Sequence, residues 1–143
     1  MQIYLFALWA IFFLAPAKKG ELMLEIKNIE SASGVLHVAV YDEPHFLEEG
    51  KALFQTTAAV QTQQNLRIPV ANLPFGKYAI AVYHDVNNNG KLDKNYLGIP
   101  AEPYAFSNNP RAKWRSPTFD ETQIELNTLQ KDIPLELKRW RKH

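Results

Sequence analysis

The sequence contains no cysteine, which excludes disulfide bonds, thiol nucleophiles and cysteine-ligated zinc. Its formal net charge is only +1, so it has neither the basic footprint typical of nucleic-acid binding nor an acidic tail. No long stretch has the 3.6-residue period of an amphipathic helix. At 143 residues the chain is long enough for one domain with its own hydrophobic core.

The N-terminus carries an unbroken apolar run from Ile3 to Ala15. This run is shorter than the about 20 residues of a membrane span and matches the apolar region of a signal peptide. An A-x-A-like cleavage site ends at Ala17. We therefore expect residues 1–17 to be a signal peptide, and residues 18–143 to be a periplasmic or extracellular domain with no membrane span. No Lys or Arg precedes the run, which leaves an uncleaved anchor or a buried first element as alternatives.

Short segments that alternate apolar with polar residues recur along the chain, separated by turn-forming residues at intervals of about ten residues. This pattern predicts an all-β fold, an antiparallel β-sandwich of about seven strands that is prealbumin-like or immunoglobulin-like. The last two strands are expected to form a hairpin. The predicted strands are Glu21–Glu30, Val35–Tyr41, Thr56–Val60, Leu66–Val70, Lys77–Tyr83, Gln123–Leu126 and Ile133–Leu137.

The most specific chemical signal follows the fifth predicted strand, where oxygen ligands alternate as in the first nine residues of an EF-hand calcium loop. These ligands are Asp85, Asn87, Asn89, Lys91 (through its backbone carbonyl) and Asp93. Gly90 permits the sharp turn at the sixth position, but Tyr96 occupies the twelfth, where an EF-hand has a bidentate glutamate.

Two acids and two amides predict weak Ca²⁺ binding, at about 10⁻⁴–10⁻³ M, as in extracellular modules. A distant acid, Asp42 or Glu102, is a candidate to complete the coordination. The alternative is that the Asn-Gly sequence forms a plain turn without metal, since both residues tolerate positive φ.

In the order of its motifs the chain resembles the domain-of-unknown-function family numbered 2141. The resemblance covers about residues 24–137. It implies a small exported bacterial β-sandwich without an established activity, so it brings no catalytic residue. The motifs are Leu73-Pro74-x-Gly76-x-Tyr78-Ala79, the loop from His84 to Asp93, Leu97-Gly98-Ile99-Pro100-x-Glu102, Tyr104-x-Phe106-Ser107-Asn108-Asn109 and Pro117-x-Phe119.

These features favour a non-enzymatic binding or structural module of the cell envelope. Residues 97–116 are broken by prolines but rich in aromatic side chains, so we expect them to pack down on the domain. Beside the loop, Leu97–Trp114 is expected to offer a surface for envelope carbohydrate or peptide. The alternative is that its aromatic side chains merely cap the sandwich. The candidate surface residues are Glu102, Tyr104, Phe106, Asn108 and Trp114.

A transthyretin-like small-molecule hydrolase is the alternative, and a structural envelope part held by an uncleaved N-terminus is a third hypothesis. The candidate catalytic residues of a hydrolase are His37, His45, His84 and Arg67. The chain has no G-x-S-x-G, no cysteine–histidine pair and no His-x-x-x-His pattern, and it ends Trp-Arg-Lys-His instead of Tyr-Arg-Gly-Ser.

Overall fold

The computed structural model describes residues 14–111 and 115–140, and within them two β-sheets pack face to face around one core. The predicted all-β sandwich is confirmed. The first thirteen residues of the predicted signal peptide lie outside the described residues. The strands are β1 (Lys19–Lys27), β2 (Val35–Tyr41), β3 (Phe54–Ala59), β4 (Leu66–Pro74), β5 (Gly76–Asp85), β6 (Tyr104–Phe106), β7 (Ile124–Leu126) and β8 (Gln130–Glu136), with a 3-10 turn at Glu43–His45 and a one-turn helix α1 at Phe119–Thr122.

Alternating apolar side chains create the strands, as the sequence predicts. In β1, Leu22, Leu24 and Ile26 are fully buried, while the residues between them are partly exposed. Each of the seven predicted segments corresponds to a strand, and the structure adds β6, which makes eight. Burial of these apolar faces between the sheets is the main stabilising contribution.

The connectivity departs from the wholly antiparallel arrangement that we predicted. β8 pairs in parallel with β1, so that Glu21 lies opposite Gln130. The predicted hairpin of the last two strands is wrong, because β7 pairs with β5 in the other sheet. Consecutive strands are usually neighbours, which made the hairpin the natural expectation, but here the chain changes sheets between them.

Strand β5 positions the candidate site. It lies in the five-stranded sheet, with β2 on one side and β6 and β7 on the other. Ile80 and Val82 are buried in the core, whereas Ala81 and Tyr83 alternate with them on the outer face. Asp85 ends the strand, so β5 delivers this carboxylate to the base of the predicted calcium loop.

Candidate functional site

Asp85 is fully buried, and its carboxylate holds the start of the loop. Its Oδ1 accepts a hydrogen bond from the Asn89 backbone N–H at 3.0 Å, and its Oδ2 accepts one from Gly90 at 2.7 Å. Burial raises the pKa of the Asp85 carboxyl, but these two N–H donors together with His37 outweigh burial and hold that pKa below its ordinary value. Asp85 is therefore an ionised anchor.

The structure brings the predicted ligand side chains together. Asn87 Nδ2 donates to Asp93 Oδ2 at 2.7 Å, and Asn89 Nδ2 donates to Asp93 Oδ1 at 2.8 Å. The Asn87 and Asn89 amide oxygens accept backbone N–H groups within the loop. Lys91 is exposed at the turn. The amide N–H groups thus satisfy the Asp93 carboxylate at the place where a cation would do so.

Glu102, one of the two acids named as candidates to complete the coordination, lies against the loop and accepts two of its backbone N–H groups. It is only 6% exposed, and its carboxylate lies under the loop instead of on an open surface. Oε1 accepts the Val86 N–H at 2.9 Å, and Oε2 accepts the Asp93 N–H at 3.1 Å. One buried side chain therefore ties the first turn of the loop to its ninth position.

The donor set fits a hard cation in chemistry, with two carboxylates, two amides and a carbonyl. Binding would require the Asn87 and Asn89 amides to rotate, because their N–H groups now contact Asp93. Within residues 14–111 and 115–140, no three His, Cys, Asp or Glu side chains cluster as metal ligands. Ca²⁺ at this loop stays a prediction.

Beside the loop, a cleft of about 1030 Å³ lies over the outer face of the five-stranded sheet. Its floor follows the cross-strand register, because residues opposite one another on neighbouring strands share a face. One row of the floor is Thr57, His37, Tyr83 and Tyr104, and the next is Gln55, Ala39, Ala81 and Phe106. The alanines give the centre of the cleft its depth.

His37 connects the cleft to the loop. Its ring stacks on Tyr83, with centroids 4.5 Å apart and planes within 1°, and its Nε2 lies 3.3 Å from Asp85 Oδ2. The Tyr83 hydroxyl donates to the Gly90 carbonyl at 3.5 Å. Burial raises the pKa of Tyr83, and the charges of Asp85 and Glu102 raise it further, so this hydroxyl keeps its proton. His37 and Tyr83 of the cleft floor thus contact the loop directly.

The rim of the cleft is cationic. Lys94 and Arg111 line it and are exposed, and neither has an ion-pair partner among the described residues. Arg115 also lines it, with Nη1 and Nη2 at 2.8 and 3.2 Å from the Glu121 carboxylate. Two cations remain uncompensated, so an anionic ligand would meet favourable charge.

Comparison with known families supports the resemblance that the motifs suggested. Residues 24–134 match the model of a family described as "Uncharacterized protein conserved in bacteria (DUF2141)". The chain belongs to this DUF2141 family. No curated protein and no solved structure matches it.

In this DUF2141 member, the predicted surface residues occupy different environments. Tyr104 and Phe106 are half-buried and line the cleft. The exposed Asn108 uses its amide to donate to the Gln123 carbonyl at 2.6 Å. Trp114 lies outside the described residues. Of the candidate residues that the structure describes, Tyr104 and Phe106 are the two that line the cleft.

The four hydrolase candidates do not converge in this family member. His37 lines the cleft, but Arg67 is on the other sheet and pairs with Asp132. His45 contacts Asp42 at 2.8 Å. His84 is fully buried with Nε2 2.7 Å from the Ser33 carbonyl.

None of the described helices is long and apolar enough to cross a membrane.

Proposed function

We propose that this DUF2141 protein is a non-catalytic binding module whose cleft holds a linear acidic oligosaccharide. The observation that carries the proposal is the cleft of about 1030 Å³, which combines an aromatic floor with a cationic rim. Sites for small molecules are concave, with apolar walls and a few polar groups that fix orientation. This cleft has those properties.

The shape of the cleft suits an extended ligand. Its floor crosses the sheet from β3 to β6, which is three strand spacings or about 14 Å. Because the floor runs across the strands, a ligand lying along it would contact both rows of floor side chains. A short segment of a polymer fits such a floor better than a single compact molecule.

The chemistry of the lining suits sugars with carboxylate groups. Tyrosine rings offer apolar faces and hydroxyls, and Gln55 and Thr57 add hydrogen-bonding groups along one side. Lys94 and Arg111 can pair with sugar carboxylates, and Arg binds a carboxylate through two parallel hydrogen bonds.

Export and calcium belong to the same proposal. The apolar run from Ile3 to Ala15 supports export to the envelope, where acidic polysaccharides occur on the outside of cells. Calcium in the loop would fix the cleft wall that contains Lys94 and Ile99. Neither export nor bound calcium is required for the cleft to bind its ligand.

Calorimetric titration with a tetramer of galacturonic acid tests the proposal. We expect saturable binding, and at least about a tenfold loss when Lys94→Gln and Arg111→Gln are combined. The matched control Lys131→Gln removes a cation from the three-stranded sheet and should leave affinity unchanged. Equal binding of the methyl-esterified tetramer, or of the double variant, would show that the rim charges do not select the ligand.

A hydrolase remains a second candidate because His37 lies in the cleft with Nε2 3.3 Å from Asp85 Oδ2. A carboxylate so placed can orient an imidazole that takes a proton from water. Ester and amide substrates that fit the cleft test this candidate. Turnover that disappears in His37→Gln would support a hydrolase. Turnover that persists in this variant would exclude His37 and Asp85 as the catalytic pair.

A further inference from the structure

The two sheets of the sandwich have four outer sides, formed by β3, by β4, by β8, and by β6 together with the three-residue β7. In the described residues, every side except that of β3 is closed, guarded or short. β6 is bridged to the end of β8, where Tyr104 and Lys138 exchange backbone hydrogen bonds of 3.0 Å. The Asn109 side chain covers β8, donating to the Pro134 carbonyl and accepting from the Glu136 N–H. Pro69 lies within β4 and Pro74 ends it, so neither offers an N–H to an added strand.

The fourth edge, β3, has none of these protections. Its sequence FQTTAA contains no charge and no proline, and β3 pairs only with β2. The Val60 N–H donates to the Gly34 carbonyl at 3.0 Å, which fixes the alternation of the ladder. Consequently the N–H and C=O groups of Gln55, Thr57 and Ala59 point away from β2, towards the open edge. All three residues are exposed.

An apolar strip runs along the same open side of the sandwich. Phe54 and Ala58, on the inner face of β3, are only partly buried and pack against the core. Leu66 does the same at the start of β4, the edge strand of the facing sheet. Natural proteins rarely leave an unguarded edge beside half-covered apolar residues unless something pairs with it.

We propose that the β3 edge binds an extended segment of a partner polypeptide as an added strand. Another backbone is the chemistry that satisfies a row of outward N–H and C=O groups. Alternate side chains of the segment would be apolar and would cover Phe54, Ala58 and Leu66. The side chains between them would be polar, because they adjoin Gln55 and Thr57 at the edge of the cleft.

A peptide segment fits this edge better than a second copy of the chain. β3 has six residues, so its length is about 20 Å. Two such strands paired across a two-fold axis would share at most six residue pairs, whereas a stable protein interface buries about 1,200–2,000 Å². A single added strand needs no such area, since its affinity comes from backbone hydrogen bonds and the covered strip.

The probe is a synthetic eight-residue peptide in which valine alternates with threonine between terminal lysines, with both ends blocked. In NMR titrations we expect the amide signals of Gln55, Thr57 and Ala59 to shift and their hydrogen exchange to slow. Thr57→Pro removes one outward N–H without touching the β2 ladder, and should weaken binding at least about tenfold. Thr57→Val keeps that N–H and should bind as the unmodified protein does.

Two further peptides, N-methylated at the valines or at the threonines, remove hydrogen bonding from one edge of the probe at a time. Because these peptides leave the protein unchanged, they test the edge even if Thr57→Pro folds poorly. We expect one of them to bind and the other to fail. The proposal is overturned if both bind equally or if the parent peptide does not bind at millimolar concentration. It is also overturned if sedimentation shows that the unmodified protein is a dimer and that Thr57→Pro is a monomer. That result would assign the edge to a second copy of the chain.

Discussion

The loop and the cleft meet where Asp85 contacts His37, yet their polar groups are satisfied in opposite ways. In the loop, the carboxylates of Asp85, Asp93 and Glu102 accept hydrogen bonds from the loop itself. In the cleft, Lys94 and Arg111 face solvent without an ion-pair partner among the described residues. The loop satisfies its carboxylates from within, whereas the cleft leaves two cations to solvent.

The most specific sequence motif of a protein is therefore not necessarily its binding site. The alternating acids and amides of the loop are used mainly to fold it, since buried polar groups must be hydrogen-bonded. The cleft has no single contiguous motif. Tyr104 and Phe106 of its floor belong to one of the family motifs, but the rest of the floor is assembled from single residues on other strands. Substitutions in the loop should therefore reduce stability, whereas substitutions at the cleft rim should affect ligand binding more than stability.

The largest effect is expected for Glu102→Ala, which removes the acceptor of two backbone N–H groups under the loop. Each donor left without a partner costs about 1–3 kcal/mol, so we expect the two donors to cost about 2–6 kcal/mol in unfolding free energy. Urea unfolding measures it. Glu125→Ala at an exposed position serves as the control. Equal stabilities for the two variants would contradict a stabilising role for the Glu102 hydrogen bonds.

Gly34 and Gly50 form a matched pair for the next test. Both have positive φ, +79° and +71°, so alanine is strained at each. A Cβ at Gly34 would also overlap the Asp85 carbonyl, whereas a Cβ at Gly50 meets nothing within 4 Å.

We expect Gly50→Ala to cost about 1 kcal/mol and Gly34→Ala about 2–3 kcal/mol, since the overlap adds to the strain. Thermal unfolding measures both variants. Indistinguishable midpoints would mean that the approach of Gly34 to the base of the loop is looser than the structure indicates.

The pH dependence of stability tests Asp85. Its pKa is lower in the folded protein than the ordinary 3.8, because loop N–H groups and His37 outweigh burial. Its contribution is therefore complete above the unfolded pKa and is lost as pH falls through the folded pKa. We expect Asp85→Asn to be clearly less stable than the unmodified protein near neutral pH, with the gap narrowing below about pH 4. A difference in stability that does not change with pH would show that the ionised Asp85 carboxylate does not stabilise the fold. Asp132→Asn, at an exposed ion pair, is the control.

Most strands were predictable because alternation directly reflects burial on one face, as β1 illustrates. β6 was missed because it has three residues and follows Pro103, so no period is visible. The parallel pairing of β1 with β8 leaves no local signal, since it joins the two ends of the chain.

The loop residues were predictable as a group from their spacing, but Glu102 was not assigned its role. It lies nine residues beyond Asp93, and only the fold brings its carboxylate under the loop. The cleft was less visible still. His37 and Tyr83 are far apart in sequence, and only the register of β2 with β5 stacks their rings.

Calcium gives the smallest expected change and bears most directly on the difference between loop and cleft. With a Kd of about 10⁻³ M, about 5 mM Ca²⁺ would add about 1 kcal/mol to unfolding free energy, because only the folded loop presents its oxygens together. Asp93→Asn removes a carboxylate that now accepts both amide N–H groups and should abolish this gain. Thermal unfolding in Ca²⁺, with Mg²⁺ at equal ionic strength as control, measures it. If neither ion raises the midpoint, the amide contacts at Asp93 are the final state of the loop, and its residues serve only to fix the neighbouring cleft wall.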